Sequence, residues 1–149
     1  MLLIRARILI ATLWAGSLWT VAYLVAPTLF TTLFDTVLAG TIAGNLFRVE
    51  AWLSMFCAAA LIVLLKAGTD GVPARERRPL FGIVITMLSC TLIVNFGLQP
   101  FMAALREAAG PSGVMASQAR LQFGIFHGVS SVIYLIQSVL AGVLIVKIR

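Results

Sequence analysis

From Ile8 to Phe34, Ala51 to Leu65, Leu80 to Leu105 and Leu121 to Val146 the chain carries no charged residue. This is neither the alternation of a half-buried strand nor the polar-backed stripe of a soluble helix. It is the pattern of membrane-crossing helices, which need about 20 residues to cover about 30 Å of hydrocarbon. Three of the runs suffice. The second is short, about 22 Å of helix, so its helix is predicted to continue backwards through Glu50 and Arg48 toward Ala43, drawing an acid and a base into the membrane. The predicted spans are 8–30, 43–65, 80–105 and 121–146: an all-α, integral membrane four-helix bundle that forms one domain over residues 1–149.

Small and polar residues inside such spans mark the faces that pack together, because lipid offers little hydrophobic force between helices. Steps of three and four collect Thr12, Gly16, Thr20, Tyr23 and Pro27 on the first helix, and Glu50, Ser54 and Cys57 on the second. They collect Thr91, Asn95, Gln99 and Arg106 on the third, and Arg120, Gly124, His127, Ser131, Tyr134 and Ser138 on the fourth. Counting rise per residue puts Asn95 about 22 Å and Gln99 about 28 Å along the third helix, and His127 about 10 Å down the fourth. All three then meet at similar height, in the outer half of the membrane, near Arg48 and Glu50.

The segment "KAGTDGVPARERRP", with Gly68, Gly71, Pro73 and Pro79, is the clearest break and divides the chain into two helix pairs. A weak echo relates them: "APTLFTTL" resembles "QPFMAAL", and "LFRVEAWLS" resembles "QFGIFHGVS", as in parallel repeats about an axis along the membrane normal. The outer connections are expected to be an interfacial segment over 31–45 and a Gly-Pro-Ser-Gly turn within 107–118. The apolar stretch that follows Arg5 and Arg7 is too long for the h-region of a signal peptide and is read as a retained first helix.

Composition agrees: 61% hydrophobic, 11% charged, mean hydropathy +1.07. Eight of the eleven basic residues, Arg5, Arg7, Lys66, Arg75, Arg77, Arg78, Lys147 and Arg149, fall on one side, which predicts both termini to be cytoplasmic. Anchoring at anionic lipid accounts for the basic pI, so no nucleic-acid partner is needed. The bilayer is the expected partner, with a homo-oligomer or a membrane complex as further options.

The buried ionisable and amide residues are the candidate chemistry. Arg48, Glu50, Asn95, Gln99, His127 and Ser131 form the candidate ligand-binding set, an outward-leaning polar pocket for binding or passing a small solute or ion. The competing reading makes the same groups interhelical hydrogen bonds of an accessory subunit or scaffold. Cys57, Met87, Cys90 and His127 are the candidate metal donors. Thiolate with thioether would suit Cu(I), whereas a single histidine leaves haem in need of a Met or a second subunit. Cys57 and Cys90 supply no disulfide framework. His127 and Ser131 lie one turn apart without an orienting acid, and no room remains for a soluble catalytic domain, so an enzyme is the weaker reading. Trp14 and Trp19 are read as packing residues.

The runs "R…W.G…W…Y..AP.LF..L" from Arg7, "AG…LF" from Ala43, "N…QP" from Asn95 and "F..FHG.SS" from Phe123 resemble an uncharacterised family of four-helix bacterial membrane proteins. That family is similar to eukaryotic transmembrane protein 205 and, more distantly, to the copper-resistance D proteins and the J-type membrane protoporphyrinogen oxidase. The resemblance implies the fold and a multi-pass position in the bacterial inner membrane. Its distant branches imply copper or haem chemistry, but this chain lacks the several histidines such chemistry would use. Pro27, Asn95, Pro100, His127, Gly128 and Ser131 match the family's motif positions.

Overall fold

Asp35 decides where the second span begins. Its carboxylate Oδ1 accepts the backbone N–H groups of Val37 and Leu38 at 2.9 and 3.0 Å, so the first orphan donors of a helix are satisfied by an N-cap. In the computed structural model, which describes residues 2–67 and 74–148, that helix runs from Thr36 to Ala67. The expected interfacial segment over 31–45 is therefore mostly helix, and only Leu33 to Asp35 connect the first two spans. Gly68, Gly71 and Pro73 of the predicted break, together with Arg149, lie outside the described residues.

The α-helices are α1 (Leu2–Trp19), α2 (Ala26–Thr32), α3 (Thr36–Ala67), α4 (Ala74–Leu92), α5 (Gln99–Ala109) and α6 (Arg120–Lys147). A π-helical segment, Thr20–Val25, joins α1 to α2, and a second, Ile93–Leu98, joins α4 to α5. Among the described residues four helical stretches are long and apolar enough to cross a membrane: Leu2–Thr32, Thr36–Ala67, Arg77–Ser112 and Arg120–Lys147. The protein is thus an all-helical, multi-pass membrane protein. Each span is longer than its predicted counterpart. Pro79, expected in a loop, sits inside α4 near its start, which places Arg75, Arg77 and Arg78 on the helix.

Both π segments have the same cause. A proline at the second position of the following helix, Pro27 or Pro100, lacks an N–H and crowds the carbonyl four residues back. The backbone answers with wider turns, in which Ala26 N–H bonds to Val21 O and Gln99 N–H to Val94 O, five residues back in each case. The faint repeat in the sequence thus has a backbone counterpart at matching places in the first and third spans.

α1 and α4 each pack against α3 and α6, so the four spans form a ring. The main core cluster fills one end of it. Ala11, Trp14, Ala15, Leu18, Cys57, Ala58, Leu61, Leu65, Leu80, Val84, Met87, Ala141, Leu144 and Ile148 lie at the end that carries both termini. Arg7 is buried there too, 2% exposed, and its Nη2 donates to Leu64 O at 2.8 Å, closing one of the last free carbonyls of α3. Expected from the sequence to anchor at the membrane surface, it is instead a helix cap inside the bundle. Toward the other end burial thins out: neither π segment nor α2 has a buried residue, and the buried apolar side chains there are Ala39 and Ala43 of α3, Met102 of α5 and Val114.

The polar stripes are sorted by this geometry. Those of α3 and of the third span face the interior. On the first span Thr12, Thr20, Tyr23 and Pro27 are exposed, and the buried face is Ala11, Trp14, Ala15 and Leu18. On α6 the buried face is Ser130, Gln137, Ser138, Ala141 and Leu144. Bulky Trp14 and Leu18 take the inner side of α1 because the indole finds a polar partner there.

Candidate functional site

Glu50 stands where the packed end of the bundle gives way to the open one. It is 5% exposed on α3, one turn before Ser54. Trp14 Nε1 of α1 donates to Ser54 Oγ at 2.6 Å, and Ser54 Oγ donates to Glu50 Oε1, also at 2.6 Å. Indole, hydroxyl and carboxyl form one directed chain. Across from it Tyr134 of α6 lies within electrostatic range of Glu50 and donates its hydroxyl to Leu18 O at 3.1 Å. The Phe47 ring meets the edge of Tyr134 with centroids 5.4 Å apart.

A second polar link closes the opposite wall. Gln137 Nε2 donates to Thr91 Oγ1 at 2.9 Å, and Thr91 Oγ1 donates to Met87 O at 3.2 Å. Between the two links is a cavity of about 20 Å³ lined by Phe47, Glu50, Ala51, Thr91, Val94, Asn95, Gln99, Tyr134 and Gln137. That is room for about one water molecule. The second, third and fourth spans line it, and Trp14 of the first reaches it through Ser54.

The π segment matters to this lining. Residues four apart drift by about 40° per step around an ordinary α-helix; the wider π turn offsets that drift. Thr91, Asn95 and Gln99 consequently stay on one face and all reach the cavity.

Of the six residues predicted to bind a ligand, the structure brings Glu50, Asn95 and Gln99 to one cavity and leaves three outside its lining. Arg48 is exposed on α3, two residues from Glu50 and hence on another side of the helix. His127 is exposed on α6, where its ring lies nearly parallel to Phe123, centroids 6.0 Å apart. Ser131 is exposed and donates to His127 O at 2.8 Å. Equal height along neighbouring helices was not enough: His127 lies two turns from Tyr134 on the same side of α6, in the stretch where that side is exposed. Sequence reasoning did not place Trp14, Ser54, Thr91, Tyr134 and Gln137 in the candidate site, although Ser54, Thr91 and Tyr134 stood in the polar stripes.

Cys57 and Met87 lie in the apolar core, and Cys90 is half-buried on α4. Among the described residues no three His, Cys, Asp or Glu side chains converge on a point that could hold a metal ion. Glu50 has no basic partner among the described residues; its neighbours offer hydroxyl and amide groups and aromatic faces. Such a carboxyl can hold and release a proton, or meet a small cation with oxygen ligands around it.

No curated protein and no solved structure matches the chain. One family profile does, over residues 9–111, a stretch that takes in Trp14, Glu50, Ser54, Thr91, Asn95 and Gln99 and ends before α6. With more than half of its length matched, the chain belongs to the family described as Domain of unknown function (DUF4149), an uncharacterised family.

Proposed function

We propose that this membrane protein binds and exchanges a small cation, a proton above all, at Glu50. The observation that carries this reading is a carboxyl buried among the spans with no basic partner among the described residues, beside a cavity large enough for about one water. A charge at such depth is costly unless it is neutralised, and buried acids inside membranes are the usual stations of proton and ion pathways. The Trp14–Ser54 chain fixes the carboxyl in one orientation. Asn95, Gln99 and Gln137 supply amide groups that can order a water or replace part of an ion's hydration shell.

The test is proteoliposomes carrying the purified protein and an internal pH indicator, with an imposed potassium diffusion potential. Native protein is expected to pass protons faster than Glu50→Gln, and a hydrophobic carbodiimide, which attacks protonated carboxyls in membranes, is expected to label Glu50 alone among the spans. Equal flux in both proteins together with no labelling at Glu50 overturns the reading.

A second reading, a subunit of a larger membrane assembly, has its own observation. Gly124 and Gly128 lie four apart on the exposed side of α6, and a side chain at either would meet nothing within 4 Å. Small residues at that spacing let two membrane helices approach closely. The copper role expected from the copper-resistance D proteins and the haem role expected from the J-type oxidase would draw on Cys57 and Met87 in the core and His127 exposed on α6, residues in different halves of the bundle.

A further inference from the structure

Arg106, on the last turn of α5, is the cation that neither the cavity nor the core explains. Its guanidinium carbon lies 5.2 Å from the centroid of the Phe123 ring of α6. On the α3 side it rests against Gly44, where a Cβ would come within 3.0 Å of Arg106 Nη1. Glycine is what lets the group through. The guanidinium is thus in contact with an aromatic ring of α6 and with the bare backbone of α3 at Gly44, and neither contact is a hydrogen bond. Arg106 has no hydrogen-bond acceptor and no ion-pair partner among the described residues.

The nearby acids do not supply one. Asp35 caps α3 through Oδ1 and makes no ion pair among the described residues. Glu107 is exposed, and as the next residue on the helix it projects about 100° away. The other cations here add to the positive field: Arg120 lies one turn before Phe123 on α6, and Arg48 one turn after Gly44 on α3, both exposed.

Depth identifies the kind of anion. The third span is 36 residues long, about 54 Å of helix against about 30 Å of hydrocarbon. Arg106 lies about 9 Å from its end at Ser112, at the level of the lipid headgroups. A planar fork of donors at that level matches a phosphate, whose oxygens can take two parallel N–H bonds at once.

We propose that Arg106, seated between Gly44 and Phe123, is a phosphate receptor at the end of the bundle opposite the termini, the phosphate being that of a phospholipid headgroup or one free in solution. The site is separate from Glu50 and stands or falls independently of it.

Two measurements on the full-length protein, each with Arg106→Gln beside the native chain, test it. Native mass spectrometry from phospholipid nanodiscs counts retained lipid; the native protein is expected to keep a phospholipid that R106Q loses, by about tenfold in occupancy. Melting in phospholipid-free detergent, with inorganic phosphate against chloride at equal ionic strength, reads the soluble source: phosphate is expected to raise the native midpoint and not that of R106Q. The first difference assigns a lipid, the second alone a soluble phosphate. Phe123→Leu, which keeps the charge but removes its seat, is expected to weaken the same signals and serves if R106Q does not fold. If the folded variants retain as much lipid as the native chain and respond to phosphate as it does, the proposal is overturned.

Discussion

At the scale of single residues the informative contact is the one between Trp14, Ser54 and Glu50. Ser54 is acceptor to the indole and donor to the carboxyl at once, both at 2.6 Å, so removing its hydroxyl strands two buried groups. Removing the indole N–H strands none. Ser54→Ala is therefore expected to destabilise the protein by about 1–3 kcal/mol, and Trp14→Phe by less. Reversible unfolding in mixed micelles measures both. In the double variant the costs should fall short of their sum, because each side chain exerts its effect through the other. Glu50 was legible in the sequence because a short apolar run had to be lengthened across it. Asn95 and Gln99 were legible from their spacing. Trp14 was not, since an indole within a span reads as packing and its partner lies 40 residues away. Gln137 was missed for another reason: next to Ser138, it belongs to a face rotated from the one that His127 and Ser131 had defined.

The elements show what the hydropathy pattern could and could not carry. Four spans follow directly from the uncharged runs, because only long apolar helices satisfy their own backbone groups in lipid. Their true ends depend on single contacts: Asp35 starts α3 seven residues before the predicted start at Ala43, and Arg7 closes its far end on Leu64. A signal for the first was available, an aspartate just ahead of an apolar stretch. The π segments were only half visible, as two prolines in similar settings. Pro100→Ala restores the N–H and removes the ring, so the turn is expected to tighten to α and rotate α5, carrying Gln99 off the face it shares with Thr91. Cysteines introduced singly by Asn95→Cys and Gln99→Cys should report this as a severalfold change in thiol-labelling rate relative to the Pro100 background. Pro27→Ala acts on a segment that does not line the cavity and is expected to leave both rates unaltered.

The whole molecule is a ring of helices with its apolar core at one end and its unexplained polar groups elsewhere. Chain topology and composition made the ring legible, but not which half would pack, because the runs are about equally apolar throughout. The exposed Gly124 and Gly128 bear on what the ring does with other chains. If α6 pairs with a second copy, Gly124→Leu with Gly128→Leu is expected to shift the protein from dimer to monomer in lipid nanodiscs, read by mass photometry, with proton flux intact. An unchanged mass would return this face to lipid. A bundle clamped at one rim and slack at the other also feels its surroundings unequally. Lateral pressure in the bilayer bears on the slack rim, where squeezing α2 and α5 inward meets fewer buried side chains, chiefly Ala39, Ala43, Met102 and Val114. The same protein should therefore sit more closed in a thick, ordered membrane than in a thin fluid one, which makes the lipid itself a setting for access to Glu50.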